Sequence, residues 1–406
     1  MTAWRARDKE GALRMKKSSA VFFTVGFLFL MGLCSAGNGA SEKKDFLVSG
    51  GAIHVFSGQN IQAALDLAAD HAQIKTVKIH AGTYRPSEPG QALLWLNHRH
   101  DGILLEAQGA VVLTAANSEI ADPQEPSFPA VVNHVVYFGD GVSSKTVFRG
   151  FTLTGSNGFR TKEGVGKIQP DPDQPMLVKA MAGIWFFGDG GAIKIFGRSY
   201  PVLENLTVSN NFANPCGGGI SIEHQGFVHD VVRIRNCRFI NNRCQITGSA
   251  IDVLPVSALL LENCLFVGNL SNTGADYLSE PGKEWNKIHG SGALTVFPGS
   301  RVAARHCTFT GNWNGIDDRS SGNIYEYCLF WMNTKKGGIS PGERYEMHVS
   351  DGRGVKGCVL NGKIIDLRNT LDPRVNRFPG ADPDFDEYFV PRTPSYEGVG
   401  YRPVDR

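Results

Sequence analysis

An all-β solenoid, one elongated stack of coils, is the fold predicted for this chain of 406 residues. The first observation is a phrase of about nine residues that recurs five times: Leu203-Glu-Asn-Leu-Thr-Val-Ser-Asn-Asn211, Ile234-Arg-Asn-Cys-Arg-Phe-Ile-Asn-Asn242, Leu261-Glu-Asn-Cys-Leu-Phe-Val-Gly-Asn269, Ala304-Arg-His-Cys-Thr-Phe-Thr-Gly-Asn312 and Tyr325-Glu-Tyr-Cys-Leu-Phe-Trp-Met-Asn333. The second is a small-residue turn and alternating strand between the copies: Gly190-Gly-Ala-Ile-Lys-Ile195, Gly217-Gly-Gly-Ile-Ser-Ile222, Gly248-Ser-Ala-Ile-Asp-Val253, Ser291-Gly-Ala-Leu-Thr-Val296 and a reduced Asn314-Gly-Ile-Asp317. The third is composition, with 48 glycines, short β-branched runs and few helical periodicities, which favours one extended β domain over two globular ones. Each repeat is a strand, a turn, a strand and a turn, a coil that cannot bury its apolar side alone.

Taken in order, residues 1–40 read as a leader. Lys16 and Lys17 precede the apolar stretch 20–33 and then Cys34-Ser-Ala-Gly-Asn-Gly-Ala40, the three-part layout of a secretory signal peptide. Export to a secreted, extracellular or periplasmic location is the expectation, with no membrane span in the mature chain. An uncleaved anchor and lipidation at Cys34 are the alternatives; the apolar run is short for a span, and Leu33 is large for a lipidation signal. Met15 is a second candidate start, which would leave residues 1–14 untranslated. The solenoid domain is expected over residues 44–400, with its coils from about residue 72 to 365 and a tail at 401–406. Asn60-Ile-Gln-Ala-Ala-Leu-Asp-Leu-Ala-Ala69 puts Ile61, Ala64, Leu65 and Ala68 on one helical face. Such a helix would cap the open end of the stack, whose bare strand edge otherwise invites aggregation. Thr76-Val-Lys-Ile-His-Ala-Gly-Thr-Tyr84 follows as the first strand.

Within the coils, alternation assigns sides. Val208, Phe239, Phe266, Phe309 and Phe330 form one inward column, and Leu206, Cys237, Cys264, Cys307 and Cys328 the next. Asn211, Asn242, Asn269, Asn312 and Asn333 fit a stacked amide ladder in a turn. Glu204, Arg235, Glu262, Arg305 and Glu326 alternate in sign and form an outward charge ladder. The step from position 264 to 307 is the longest, so residues 270–289 are an inserted loop projecting from one face, bearing Tyr277, Glu280, Lys283, Trp285 and His289. The phased cysteines, Cys358 included, read as small apolar core fillers. Cys216 and Cys244 lie off that column, where a single bridge between them is an open alternative. No cysteine spacing suggests zinc.

These phrases resemble the right-handed parallel β-helix proteins of the pectin-lyase-like superfold, and the repeats are similar to those of polymorphic outer-membrane adhesins. The capping helix and the closing segments Ala381-Asp-Pro-Asp-Phe385 and Thr393-Pro-Ser-Tyr-Glu-Gly-Val-Gly400 are family-like as well. The resemblance implies a right-handed coil and a glycan-related activity. Catalytic signatures do not carry over. Asn312-Trp-Asn-Gly-Ile-Asp-Asp318 is similar to the first acidic motif of polygalacturonases, but the later motifs occur only as His289-Gly290 and Arg233-Ile-Arg235, earlier in the chain and in reverse order. The pectate-lyase signatures are missing.

Chemistry is therefore sought on the outward side of the strand after each small-residue turn. One row is Lys194, Ser221, Asp252, Thr295 and Asp317, and a second is Phe196, Glu223, Leu254, Phe297 and Arg319. Charges and aromatic rings on one face suit a sugar chain, whose ring faces stack on aromatics while its polar groups need charged partners. Asp252, Asp317, Glu223, Arg319 and Lys194 are the candidate catalytic residues. Trp285, Phe196, Phe297 and His289 are the candidate substrate contacts. Asp252 and Asp317 lie two coils apart, about 9.6 Å, which suits the acid and base of inverting hydrolysis. A lyase would instead use Ca²⁺ against a uronate, with Lys194 or Arg319 taking the proton; no other cofactor is indicated. A solvated polar face without activity is the third reading, and His224 and His229 read as solvent-facing turn residues. The partner is thus a polysaccharide, either cleaved or held by an adhesin-like binder. A net charge of +2 without a basic stripe argues against nucleic acid.

Overall fold

The computed structural model describes residues 46–157, 188–273, 291–334 and 344–404. They form a right-handed parallel β-helix. Nine strands from Gly90–Leu96 to Ile364–Asp366 stack into one sheet, seventeen strands make a second that wraps most of each coil, and Phe212–Ala213 and Arg243–Cys244 pair as a third. A coil runs from the first sheet, for example Ile220–Glu223, through Val232–Arg235 and Arg238–Ile240 to the short Arg243–Cys244, then back through a glycine turn to Ile251–Val253.

The nine-residue phrase explains this path locally. Asn205, Asn236 and Asn263 occupy one bend and Asn210 and Asn241 the next, all with φ near +54°. Asparagine tolerates the left-handed region better than other side chains, so its recurrence places two corners in each coil. Phe239, Phe266, Phe309 and Phe330 pair in register. Their rings stack at 4.9, 4.3 and 5.0 Å within 8° of parallel. Each buried ring stabilises the coil by about 1.5–3 kcal/mol. Cys237, Cys264, Cys307, Cys328 and Cys358 line the neighbouring column, fully buried as free thiols.

The asparagine ladder is continuous. Asn211, Asn242, Asn269 and Asn312 each donate Nδ2 to the Oδ1 of the next member at 2.7–3.1 Å. The second Nδ2 proton reaches a carbonyl of the preceding coil, as from Asn269 to Phe239 at 2.9 Å. Outside, Arg235 pairs with Glu204 and Arg305 with Glu326, as the charge alternation predicts. The cap is the helix Ile61–Asp70, with Asn60 as its N-cap and Ile61, Ala64, Leu65 and Ala68 buried.

One alternative falls. Cys216 and Cys244 are both free thiols, because the register sets Cys244 beside Ala213 rather than Cys216. The Cys244 thiol donates instead to the Thr247 carbonyl at 3.1 Å.

The closing segment folds back over the stack. Tyr396 and Val399 pack on Leu329 and Val359. Gly400 then donates to the Tyr327 carbonyl, Tyr401 to Thr308 Oγ1 and Arg402 to Asn263 Oδ1, so the chain crosses successive coils in reverse order.

Candidate functional site

The register brings the first predicted row into one line. Trp95, Tyr137, Lys194, Ser221, Asp252, Thr295, Asp317 and His348 are successive partners across the nine-stranded sheet. Their neighbours Ile193, Ile220, Ile251, Leu294, Ile316 and Met347 all enter the core. The row thus faces away from the core. Phe196 and Glu223 are likewise paired in the second row.

The expectation of an exposed face is corrected. Lys194, Ser221, Asp252, Thr295 and Asp317 are 0 % exposed and Phe196 is 1 % exposed. The cause lies in the turns. Gly217 and Gly248 each precede an outward residue by four positions and fold over it. A Cβ on Gly248 would come within 2.5 Å of the Asp252 Cβ, and one on Gly217 within 2.9 Å of the Ser221 Cβ. Both glycines also hold a left-handed φ, so they meet two demands at once.

Beneath these turns the charges are sorted. The Lys194 ammonium donates to Glu223 at 2.7 Å and to Ser221 at 3.3 Å, inside the protein. Asp189, buried in the preceding turn, accepts from the Cys216 amide at 3.0 Å, and burial pushes its carboxyl far up. Neither oxygen of Asp252 makes a well-formed hydrogen bond among the described residues. Burial pushes that carboxyl up to about 7, against the pull of the nearby Thr247 hydroxyl and Lys194.

Two coils on, Asp317 has the opposite surroundings. Its Oδ2 accepts from the Tyr345 hydroxyl, from the Ser291 amide at 3.2 Å and from Arg319 Nη2 at 3.1 Å. Arg319 Nε also touches Oδ1 at 2.5 Å, off the hydrogen-bonding direction, so this contact is electrostatic. His348 Nδ1 lies 3.7 Å from Asp317 Oδ2, while its buried Nε2 has no partner among the described residues. Burial lowers the His348 pKa and Asp317 opposes the shift, so the imidazole is neutral at pH 7.

Of the predicted substrate contacts, Phe297 is half-buried, while Trp285 and His289 lie outside the described residues, as does most of the inserted loop. His224 is not a solvent contact. It is buried, with Nε2 on the Ser199 carbonyl at 3.0 Å, Nδ1 accepting from Ala258 at 3.2 Å, and a pKa lowered to about 4 by burial. It ties its own coil to the coils on either side. Tyr345 and His348 were missed by the sequence analysis because Tyr345-Glu-Met-His-Val349 lacks the glycine turn. Its alternating Met347 and Val349 were the signal available.

A Ca²⁺ clamp does not fit this face. No three carboxylate, histidine or cysteine groups converge to hold a metal among the described residues, and Glu223 is neutralised by Lys194. No helix among them is long and apolar enough to cross a membrane. Comparison with curated proteins and with solved structures returned no match. Residues 96–282 match the family model described as a right handed beta helix region, which covers the strands from Leu104–Thr114 through Leu265–Val267 and agrees with the stacked parallel sheets.

Proposed function

We propose that this chain is an exported glycoside hydrolase that binds a polysaccharide along the outward side of its nine-stranded sheet. The observation that carries the reading is the contrast between Asp252 and Asp317. Two carboxyls stand two coils apart in one line, one buried without a well-formed hydrogen bond among the described residues, the other ringed by donors. Asp252, with its pKa near 7, can carry a proton to a leaving oxygen. Asp317 is oriented by Arg319 and Tyr345 to take a proton from water. Divergent environments of this kind are how a pair of carboxyls divides acid and base roles. Their backbones are about 9.6 Å apart, near the spacing that leaves room for an attacking water and inverts the sugar.

Elimination by a lyase has less support. Lys194 is engaged by Glu223 and Ser221, and Arg319 by Asp317, so neither cation is poised to remove a carbon-bound proton. The burial of both aspartates favours a second reading, an adhesin-like binder that holds a glycan without cleaving it.

The test is a panel of neutral and uronate polysaccharides assayed for new reducing ends and for unsaturated uronide. Hydrolysis yields the first without the second. Asp252→Asn should lower kcat by about 10²–10⁴ while the melting temperature is kept, and Asp317→Asn, which also weakens the buried pair with Arg319, should lower kcat by a similar factor along with some stability. Activity should also fall as pH rises through about 7, where Asp252 loses its proton. Glycan binding without product, equal in wild type and both variants, establishes the binder instead.

A further inference from the structure

We infer that the N-terminal end of the outward line is a separate sugar-ring subsite, built around Trp95. The inference rests on the polysaccharide reading above. Here a cleft of about 490 Å³ opens between the start of the capping helix, residues 83–88 and the strand Gly90–Leu96. That volume is in the range of small-ligand sites.

Three features make it a built site. The strand Gly90–Leu96 stands at the end of its sheet, so one edge lacks a neighbouring strand among the described residues. Gln62 of the capping helix clamps that edge, accepting the Trp95 N–H at 2.8 Å and donating to the Trp95 carbonyl at 3.0 Å. The clamp fixes the ring's position in advance, which lowers the ordering cost of binding.

Tyr137 supplies the second feature. It is buried and stacks on Trp95 at 4.2 Å and 23°, while Trp95 itself is half-exposed. With the indole braced on one side, the rest of the ring lines the cleft.

The third is polar. Gly90 and Leu96 bond toward the next strand, so alternation turns the N–H and C=O of Leu93 to the open edge, as it does those of Trp95. Leu93, Gln59, Arg85 and Glu88 line the same cleft. A pyranose ring needs this pairing of an aromatic platform for its apolar face with donors and acceptors for its hydroxyls.

Trp95 stands four strands before Asp252 in the line, about 19 Å away. A glycan lying along the sheet at the level of Asp252 reaches the cleft only when it is several sugars long. The subsite therefore adds to the affinity of the central site only for chains long enough to span both.

The experiment is calorimetric titration of wild type, Trp95→Ala, Trp95→Phe and the exposed-side-chain variant Arg85→Ala with short and long oligosaccharides of neutral and uronate type. Trp95→Ala should raise Kd for long chains about tenfold and leave short-chain Kd unchanged, with Trp95→Phe recovering most of the loss. Arg85→Ala, which touches no core packing, should weaken long uronate chains, or long neutral ones if the ring is uncharged; either result supports the subsite. Long-chain affinity unchanged in Trp95→Ala and Arg85→Ala overturns the subsite and leaves the polysaccharide reading standing, as does an equal loss for short and long chains. Wild-type protein that binds no glycan of either length overturns both.

Discussion

Glu346 stands where the asparagine ladder ends, and its carboxylate receives the last amide. Asn333 donates Nδ2 to it at 2.5 Å and its backbone N–H at 3.1 Å. Those bonds favour the ionised form, but burial outweighs them and raises the pKa to about 7. The folded state therefore binds this proton more tightly than the unfolded chain, whose value lies near 4.5. Stability from Glu346 is fully present below pH 4.5 and is lost as pH rises through 7, a difference of roughly 3 kcal/mol. Glu346→Gln removes the titration. The variant should match wild type near pH 4 and melt progressively higher than wild type toward pH 8. Parallel melting curves across that range would show that Glu346 carries no such proton.

At the scale of elements, the ladder is the stronger of two repeated polar devices. Asn269→Ala deprives the Asn242 amide and side chain of their acceptor and the Phe239 carbonyl of a donor, three buried groups at once. A loss of about 3 kcal/mol or more is expected from denaturant titration. Arg235→Ala, in the exposed charge ladder, should cost no more than about 1 kcal/mol. Equal losses would mean that the asparagine ladder is as open to solvent as the charge ladder. The phenylalanine, cysteine and asparagine columns were legible in the sequence because a fixed phase and a two-residue alternation determine which side of a coil a residue takes. What lies over that side is not periodic. Lys194 and Asp252 read as exposed because alternation turns them from the core, while the glycine turn that folds over them leaves no trace in their own strands. Asp318 shows a related limit. It occupies the inward position of Val296 and Val349, and the buried acid is accommodated by Asn323 at 2.8 Å and Tyr325 at 2.9 Å, partners fixed by the next bend.

For the whole solenoid, stability is close to a sum of coils and the interfaces between neighbours, so damage at one end stays local. The C-terminal segment tests this. It covers Leu329 and Val359 with Tyr396 and Val399, and ties three coils together through Tyr327, Thr308 and Asn263. Truncation after residue 380 removes all of these contacts and returns two buried apolar side chains to water, costing the last coils roughly 3–5 kcal/mol. The N-terminal coils keep their own cap, the helix Ile61–Asp70. Hydrogen exchange should therefore accelerate in residues 324–334 and 344–366 and remain as in wild type in residues 76–114, with thermal unfolding splitting into two steps. A truncated chain that exchanges faster by the same factor throughout would mean that the coils unfold as one cooperative unit, with the folded-back segment securing the whole stack.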